Sequence, residues 1–386
     1  MQKKNKILIL GPLGAFGGRE IESGFIANAL SNSMLVTVMS TIYCSKKSQI
    51  FDFIAKDQFV DLYGLLFKKK IFIRFFACLS YIKSGFKKEP YYYVNNSLSK
   101  KNGFHEKALS ILLHQIAQND LVIICAQLSS TYMKEIVAYC DKNSIPILFR
   151  PSNTIKAIDS KHEKWMQKVS LFIIHSFNNA NQFDFIRRCN SILIDQCCRN
   201  ENDLLFLPPV KKIQRLLFVG RLSEEKGIIE LIHFCSKIET ISLSIIGDGP
   251  LLEPIRALLK ETKNIQLLGY QSQNDMVKFI EQSDAFVISS YEESGPIAGL
   301  EAMASGRIVI STAVGSMMDR LHNLTNQFWF SIEDFSSFEA VIHTLQTLNE
   351  KEVLEIAIEN RKRYQNEYTI DKIAAQYKHV VHSFLK

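Results

Sequence analysis

Between Asp284 and Ser311 the chain reads Asp-Ala-Phe-Val-Ile-Ser-Ser-Tyr-Glu-Glu-Ser-Gly-Pro-Ile-Ala-Gly-Leu-Glu-Ala-Met-Ala-Ser-Gly-Arg-Ile-Val-Ile-Ser. Ala285 to Ser289 is a short apolar run suited to a buried parallel strand, turn formers follow it, and Pro296 can open the next helix. The stretch therefore predicts strand, loop, helix, turn and strand. Its loop falls at the strand's carboxyl end, where open α/β sheets bind ligands against free backbone N–H groups and the positive end of a helix dipole.

The helix Ile297 to Ala304 is apolar almost all round yet carries one carboxylate, Glu301. A buried carboxylate requires a partner. One reading gives Glu301 a basic residue or a backbone group. The other joins it to Glu293 in the preceding loop, both facing one crevice. There carboxylates would accept from sugar hydroxyls while backbone N–H groups hold a phosphate.

Glu293 and Glu301, followed by Ala-Met-Ala-Ser-Gly and a strand, resemble the signature of the family 4 retaining glycosyltransferases. Phe218-Val-Gly-Arg-Leu-Ser-Glu-Glu-Lys-Gly227 resembles that family's phosphate-binding segment, Ile245-Ile-Gly-Asp-Gly-Pro250 its next strand-turn, and Asn264-Ile-Gln-Leu-Leu-Gly-Tyr270 the strand beyond. The likeness covers roughly residues 210 to 320; Gly17-Gly18-Arg19-Glu20 extends it to the N-terminal half. It implies the GT-B fold: two Rossmann-like, doubly wound parallel-sheet α/β domains facing a cleft.

For the site, the resemblance implies Glu293, Arg221 and Lys226 as catalytic residues. Glu293 would hold donor-sugar hydroxyls, and Arg221 and Lys226 the diphosphate, Arg as a planar fork and Lys as a mobile charge. Glu301 would hold the nucleotide ribose. Gly17, Gly18, Gly220, Tyr270, Ser294, Gly295, Pro296 and Ile297 complete the expected donor site. No cofactor or metal is expected, since no Asp-x-Asp pair and no His or Cys cluster has ligand spacing.

Three positions depart from the family pattern. Arg150-Pro151-Ser152-Asn153 stands where many members carry a first-domain His, Arg307 replaces a Pro after Gly306, and Gly315-Ser-Met-Met-Asp319 ends in Asp rather than Glu. The missing His keeps open a catalytically inactive partner subunit of the same fold, and a sugar-nucleotide epimerase shares the architecture. An NAD enzyme has only the glycine turn Gly11 to Gly18 in its favour, because no acid lies between Glu22 and Asp52 to bond a ribose.

At 386 residues the chain exceeds one usual core. Strands are expected at Lys6 to Leu10, Met34 to Ser40, Leu121 to Cys125, Pro146 to Phe149 and Leu171 to Ile174. After Pro208-Pro209, the expected linker, come strands Arg215 to Val219, Ile241 to Ile246 and Ile265 to Leu268 before the central motif. This gives an acceptor-side domain over 1–209, a donor domain over 210–370, and a terminal helix in 371–386 rejoining the first.

Residues 1 to 209 hold 27 Lys+Arg against 16 Asp+Glu, a net of +11, and the remainder 19 against 23, a net of −4. Residues 62 to 88 have seven basic side chains, seven aromatics and no acid. That fits either an interfacial segment on an anionic membrane or a domain helix with solvated lysines and core aromatics. No nucleic-acid module accompanies it. With no apolar stretch long enough to span a bilayer and no signal-peptide pattern, a cytoplasmic, peripherally bound protein is expected, acting on a glycan or lipid-linked acceptor in surface polysaccharide assembly.

Overall fold

The computed structural model describes residues 4–152, 164–177 and 189–385, apart from the side chains of 273 and 274. The chain forms two compact units, one of Met1–Ile174, Ala180–Ile194 and Ala374–Lys386, the other of His175–Asn179 and Asp195–Ile373. The second unit thus begins upstream of Pro208-Pro209. Pro208 lies within it, its carbonyl accepting a 2.9 Å hydrogen bond from Arg307.

The first unit holds a parallel sheet ordered β3-β2-β1-β4-β5-β6-β7. Its strands are β1 (Lys6–Gly11), β2 (Leu35–Ser40), β3 (Phe59–Asp61), β4 (Leu121–Ala126), β5 (Ile147–Pro151), β6 (Leu171–Ile174) and β7 (Ser191–Leu193). Its described helices are α1 (Gly18–Ser31), α2 (Leu62–Lys69), α3 (Ile71–Lys83), α4 (Ser97–Lys101), α5 (Phe104–Ile116) and α6 (Met133–Lys142). β4 is buried along its whole length, as an apolar run covered on both faces should be.

The second unit repeats the plan in the order β10-β9-β8-β11-β12-β13, again parallel. The strands are β8 (Arg215–Val219), β9 (Ser242–Ile246), β10 (Ile265–Gly269), β11 (Ala285–Ile288), β12 (Ile308–Ser311) and β13 (Phe328–Trp329). The helices are α7 (Glu201–Phe206), α8 (Ile228–Ser236), α9 (Leu252–Leu258), α10 (Gln273–Glu281), α11 (Ile297–Ala304), α12 (Met317–Arg320), α13 (Phe335–Thr347) and α14 (Glu350–Glu367). Helix α15 (Ile370–Phe384) follows, and its residues from Ala374 onward belong to the first unit.

β8, α11 and β12 have the bounds expected from sequence. The edge strands β3, β7 and β13 were not expected; they are short and half-buried or exposed, so they lack an apolar run. Arg307, in place of a Pro, is buried and donates to the carbonyls of Ile280, Glu281, Ser283, Pro208 and Ser305. A proline would lack these donors. Burial lowers its guanidinium to about 10.

Candidate functional site

In the second sheet β9 and β11 flank β8, so the strand order reverses between β8 and β11. Ligands of doubly wound sheets bind beyond the carboxyl ends at such a switch point. Two loops meet there, 220–227 after β8 and 289–296 after β11. Tyr291 N donates to Glu225 O at 2.9 Å, and Ser289 Oγ to Lys226 O at 2.8 Å. Gly227 has φ 59°, and a Cβ there would stand 2.2 Å from Ser289 O, so only glycine permits this approach.

The loops join Lys226 to Glu293 in an ion pair, both side chains half-buried, and Ser290 Oγ donates to the same Glu293 oxygen at 3.2 Å. Ser294, Gly295, Pro296 and Ile297 continue the loop into α11. Behind it Gly315, at φ 55°, packs on the carbonyls of Glu293 and Ser294, and Ser316 N donates to Ser294 O at 3.0 Å. The Gly315 segment is therefore a backbone support for the loop. Asp319 accepts from Phe177 N at 2.9 Å.

The fully buried Arg320 fixes the loop from below. Its guanidinium grips Asp195 through two bonds of 2.8 and 2.7 Å and donates to Pro296 O at 2.5 Å. A Cβ on Gly295 would lie 2.8 Å from Gln196 Oε1 and 3.3 Å from His175 Nδ1. Within α11, burial raises the Glu301 carboxyl to about 7, an effect partly offset by Arg199.

The remaining donor-site candidates in this unit are spread around the same sheet edge. Gly220 and Arg221 follow β8, with Arg221 exposed, and Tyr270 follows β10 with 56% of its surface exposed. Among the described residues no group of three His, Cys, Asp or Glu could hold a metal ion.

Gly17 and Gly18 belong to the first unit, where the order reverses between β1 and β4. The glycine turn after β1 closes on its own helix: Glu20, buried, accepts from Gly14 N at 2.6 Å. A carboxylate thus occupies the anion-seeking turn. Arg19 donates to Pro12 O at 2.9 Å and to Ser152 Oγ at 3.0 Å. A cavity of about 350 Å³ opens at this switch point, lined among others by Arg19, Tyr63, His105, Gln127, Ser130 and Tyr132.

Arg150, where the sequence resemblance led a histidine to be expected, is not among the residues lining that cavity. It is fully buried and bonded to Glu22 at 2.6 Å and to the carbonyls of Ile173 and Ile194. The histidine that does line the cavity is His105, at the start of α5, whose Nδ1 is 3.1 Å from the Tyr132 hydroxyl. Asn153 lies outside the described residues.

Residues 200–364 match the family of glycosyl transferases group 1. An uncharacterized glycosyltransferase of Methanocaldococcus jannaschii is 34% identical over 120 residues, 30% of this chain and 31% of that protein. The lipopolysaccharide 1,2-N-acetylglucosaminetransferase of Salmonella typhimurium is 26% identical over 179 residues, 42% of this chain and 46% of the relative. The matches thus span less than half the length of these curated relatives. The crystal structure of Anabaena HepE in complex with UDP superposes with a TM-score of 0.70 over 98% of this chain and 100% of that one, at 14% identity. The fold is therefore GT-B, two Rossmann-like parallel-sheet domains.

Within the group 1 segment the fold brings Glu293, Lys226 and residues 294–297 together directly, with Gly220, Arg221 and Glu301 in the adjoining loop and helix. Sequence reasoning missed Arg320, Asp195, Gln196 and His175. Their one legible trace was Gly315 ahead of a charged pair, Asp319-Arg320; Asp195 and His175 come from outside the motif. His105 was missed because the first-domain His was sought at Arg150 to Asn153, at the end of β5, whereas the cavity takes its histidine from the start of α5.

Proposed function

We propose that this protein is a metal-independent, family 4 retaining glycosyltransferase that moves a sugar from a nucleotide-sugar donor to a hydroxyl of a glycan or lipid-linked acceptor. The observation that carries the reading is the meeting of Lys226 and Glu293, 67 residues apart, at the switch point beside the start of α11. A cation for a diphosphate, a carboxylate for sugar hydroxyls and a helix N-terminus for a phosphate stand within one loop cluster.

In this reading the anomeric C–O bond to the diphosphate breaks while the acceptor oxygen bonds the same face of that carbon. The acceptor's proton passes to the departing phosphate oxygen. Negative charge grows on the diphosphate, so Arg221, Lys226 and the N–H groups of Gly295 to Ile297 supply the electrostatic stabilisation. Donor binding would take Lys226 over from Glu293 and leave that carboxylate for sugar hydroxyls. Glu301 would accept from the ribose, which favours its ionised form. The cavity holding His105 and Arg19 would receive the acceptor in the first unit.

Relatives support the setting. One is named for lipopolysaccharide synthesis, and another of Escherichia coli for transfer to a diphosphoundecaprenol-linked sugar. HepE was solved with UDP and with UDP-glucose. Polysaccharide or glycolipid assembly in the cytoplasm, at the inner face of the membrane, fits such acceptors.

The test is calorimetric titration of UDP, GDP and ADP, with a chelator present, into wild type and Glu301→Ala. One nucleotide binding without metal, and weakened by the mutation, is expected. Failure of all three to bind would return the inactive-subunit reading to the front. Arg221→Ala should then cost on the order of 10²-fold or more in turnover; unchanged turnover would remove Arg221 from the mechanism.

A further inference from the structure

Residues 62 to 88 are sorted by the fold into two populations that composition could not separate. Leu62, Tyr63 and Leu66 of α2 are buried, and so are Ile73 and Ala77 on one side of α3. The other side of α3 carries Ile71, Phe72, Phe75, Leu79 and Ile82, all exposed, with Ile71 and Phe72 at 65% and 66%. At about 100° per residue these five fall within an arc of about 100°. They form one stripe on a helix whose opposite side already serves the core.

Beyond the helix end one more large ring is exposed. Phe86 adopts φ 63°, a conformation uncommon for a bulky residue, and its ring stays 61% exposed while stacking edge-on against Tyr81 at 4.8 Å. From Tyr81 the ring contacts run on through Tyr93 and Tyr92 to Tyr43. Tyrosines that join an apolar body to a polar tip suit the boundary between hydrocarbon and water.

Charge identifies the occupant. Lys68, Lys69, Arg74, Lys83, Lys87 and Lys88 lie before, within and after α3, all exposed, and no acid lies between residues 62 and 88. The acids at its two ends are engaged elsewhere. Asp61 accepts from the backbone of Tyr63 and Gly64 at the start of α2, and Glu89 accepts from the Tyr43 hydroxyl and faces Lys46 at 3.7 Å. A second copy would bring like charges together, and a nucleic acid would leave the apolar stripe in water. An anionic bilayer satisfies both features, as headgroups take the lysines and the acyl boundary takes the rings.

We propose that the outer face of α3, with Phe86, docks this protein onto an anionic lipid surface. No helix of the described residues is long and apolar enough to cross a membrane, so the segment lies on the surface rather than spanning it. Leu62 and Tyr63 of the adjoining α2 line the 350 Å³ cavity. Docking through α3 therefore places that cavity beside the bilayer, within reach of a lipid-linked acceptor. This last point rests on the proposed function; membrane binding itself does not.

The experiment is co-sedimentation of the full chain with phosphatidylcholine vesicles, with and without phosphatidylglycerol. Wild type should pellet with the anionic vesicles and lose binding in high salt. Phe72→Asp with Phe75→Asp should lower partitioning by about tenfold or more. Lys68→Glu with Lys69→Glu and Lys87→Glu should weaken binding to the anionic vesicles alone. All these side chains are exposed, and circular dichroism checks the fold. Wild type left in the supernatant, variants that pellet like wild type, or a wild-type dimer that the aspartates disperse without any vesicle effect would each overturn the proposal. No donor enters the assay, so it can fail while nucleotide binding succeeds, and the reverse.

Discussion

The two switch points follow one plan and use their carboxylates in opposite ways. In the first unit Glu20 closes the glycine turn and Glu22 neutralises Arg150, so both acids are bound to the unit's own groups. What remains at the cavity is a mixture of hydroxyls, amides, rings, Arg19 and His105. In the second unit Glu293 pairs with Lys226 and accepts from Ser290, and Glu301 is buried with that burial only partly offset by Arg199. A satisfied carboxylate stabilises the fold and has nothing left for a ligand. Glu301, whose burial is only partly offset, destabilises the empty protein when ionised.

The largest test of this contrast is Glu22→Ala. It strands a fully buried guanidinium and should cost about 3–5 kcal/mol, read as a lower urea midpoint of the first unit. The second unit should unfold unchanged. A loss below about 1 kcal/mol would mean that Glu22 is no more committed to the fold than Glu301.

Glu301→Gln should act the other way, with a pH dependence. The folded carboxyl, raised to about 7, holds its proton above the ordinary value of 4.5, so stability should fall as pH rises between these values. The full cost, on the order of 3 kcal/mol by the size of the shift, is reached above pH 7. The glutamine variant should abolish that slope and be the more stable protein at pH 8. Nucleotide affinity in wild type should rise from pH 6 to pH 8, since ribose donors favour the ionised form, and should be flat in the variant. A matching slope in both proteins would detach Glu301 from the ribose.

The smallest effect is expected at the other switch point. A Cβ on Gly18 meets nothing within 4 Å, so Gly18→Ala should leave stability within about 0.5 kcal/mol. Donor affinity decides more there. If Gly18 lets a phosphate approach its backbone, binding should weaken; equal binding would confine the donor to the second unit and sharpen the contrast.

Much of the second unit was legible because apolar strand runs alternate with helical stretches between strong turn signals, so β8, α11 and β12 could be bounded to the residue. The motifs that carry Glu293, Arg221, Lys226 and Glu301 to the second switch point were legible as well. The first unit was less so. Its edge strands lack a pattern, and its histidine arrives from a helix that no motif marks.

By itself, then, the sequence determined the parallel βα alternation and the residue types at the second switch point, because both depend on neighbours a few positions apart. Tertiary structure alone decided which charges are spent. The pairs Lys226 with Glu293, Arg150 with Glu22 and Arg320 with Asp195 close over 67, 128 and 125 residues. It also decided which aromatics of residues 62 to 88 face water. Burial and electrostatic compensation depend on distances in space, and those exist only once strands far apart in the chain lie side by side.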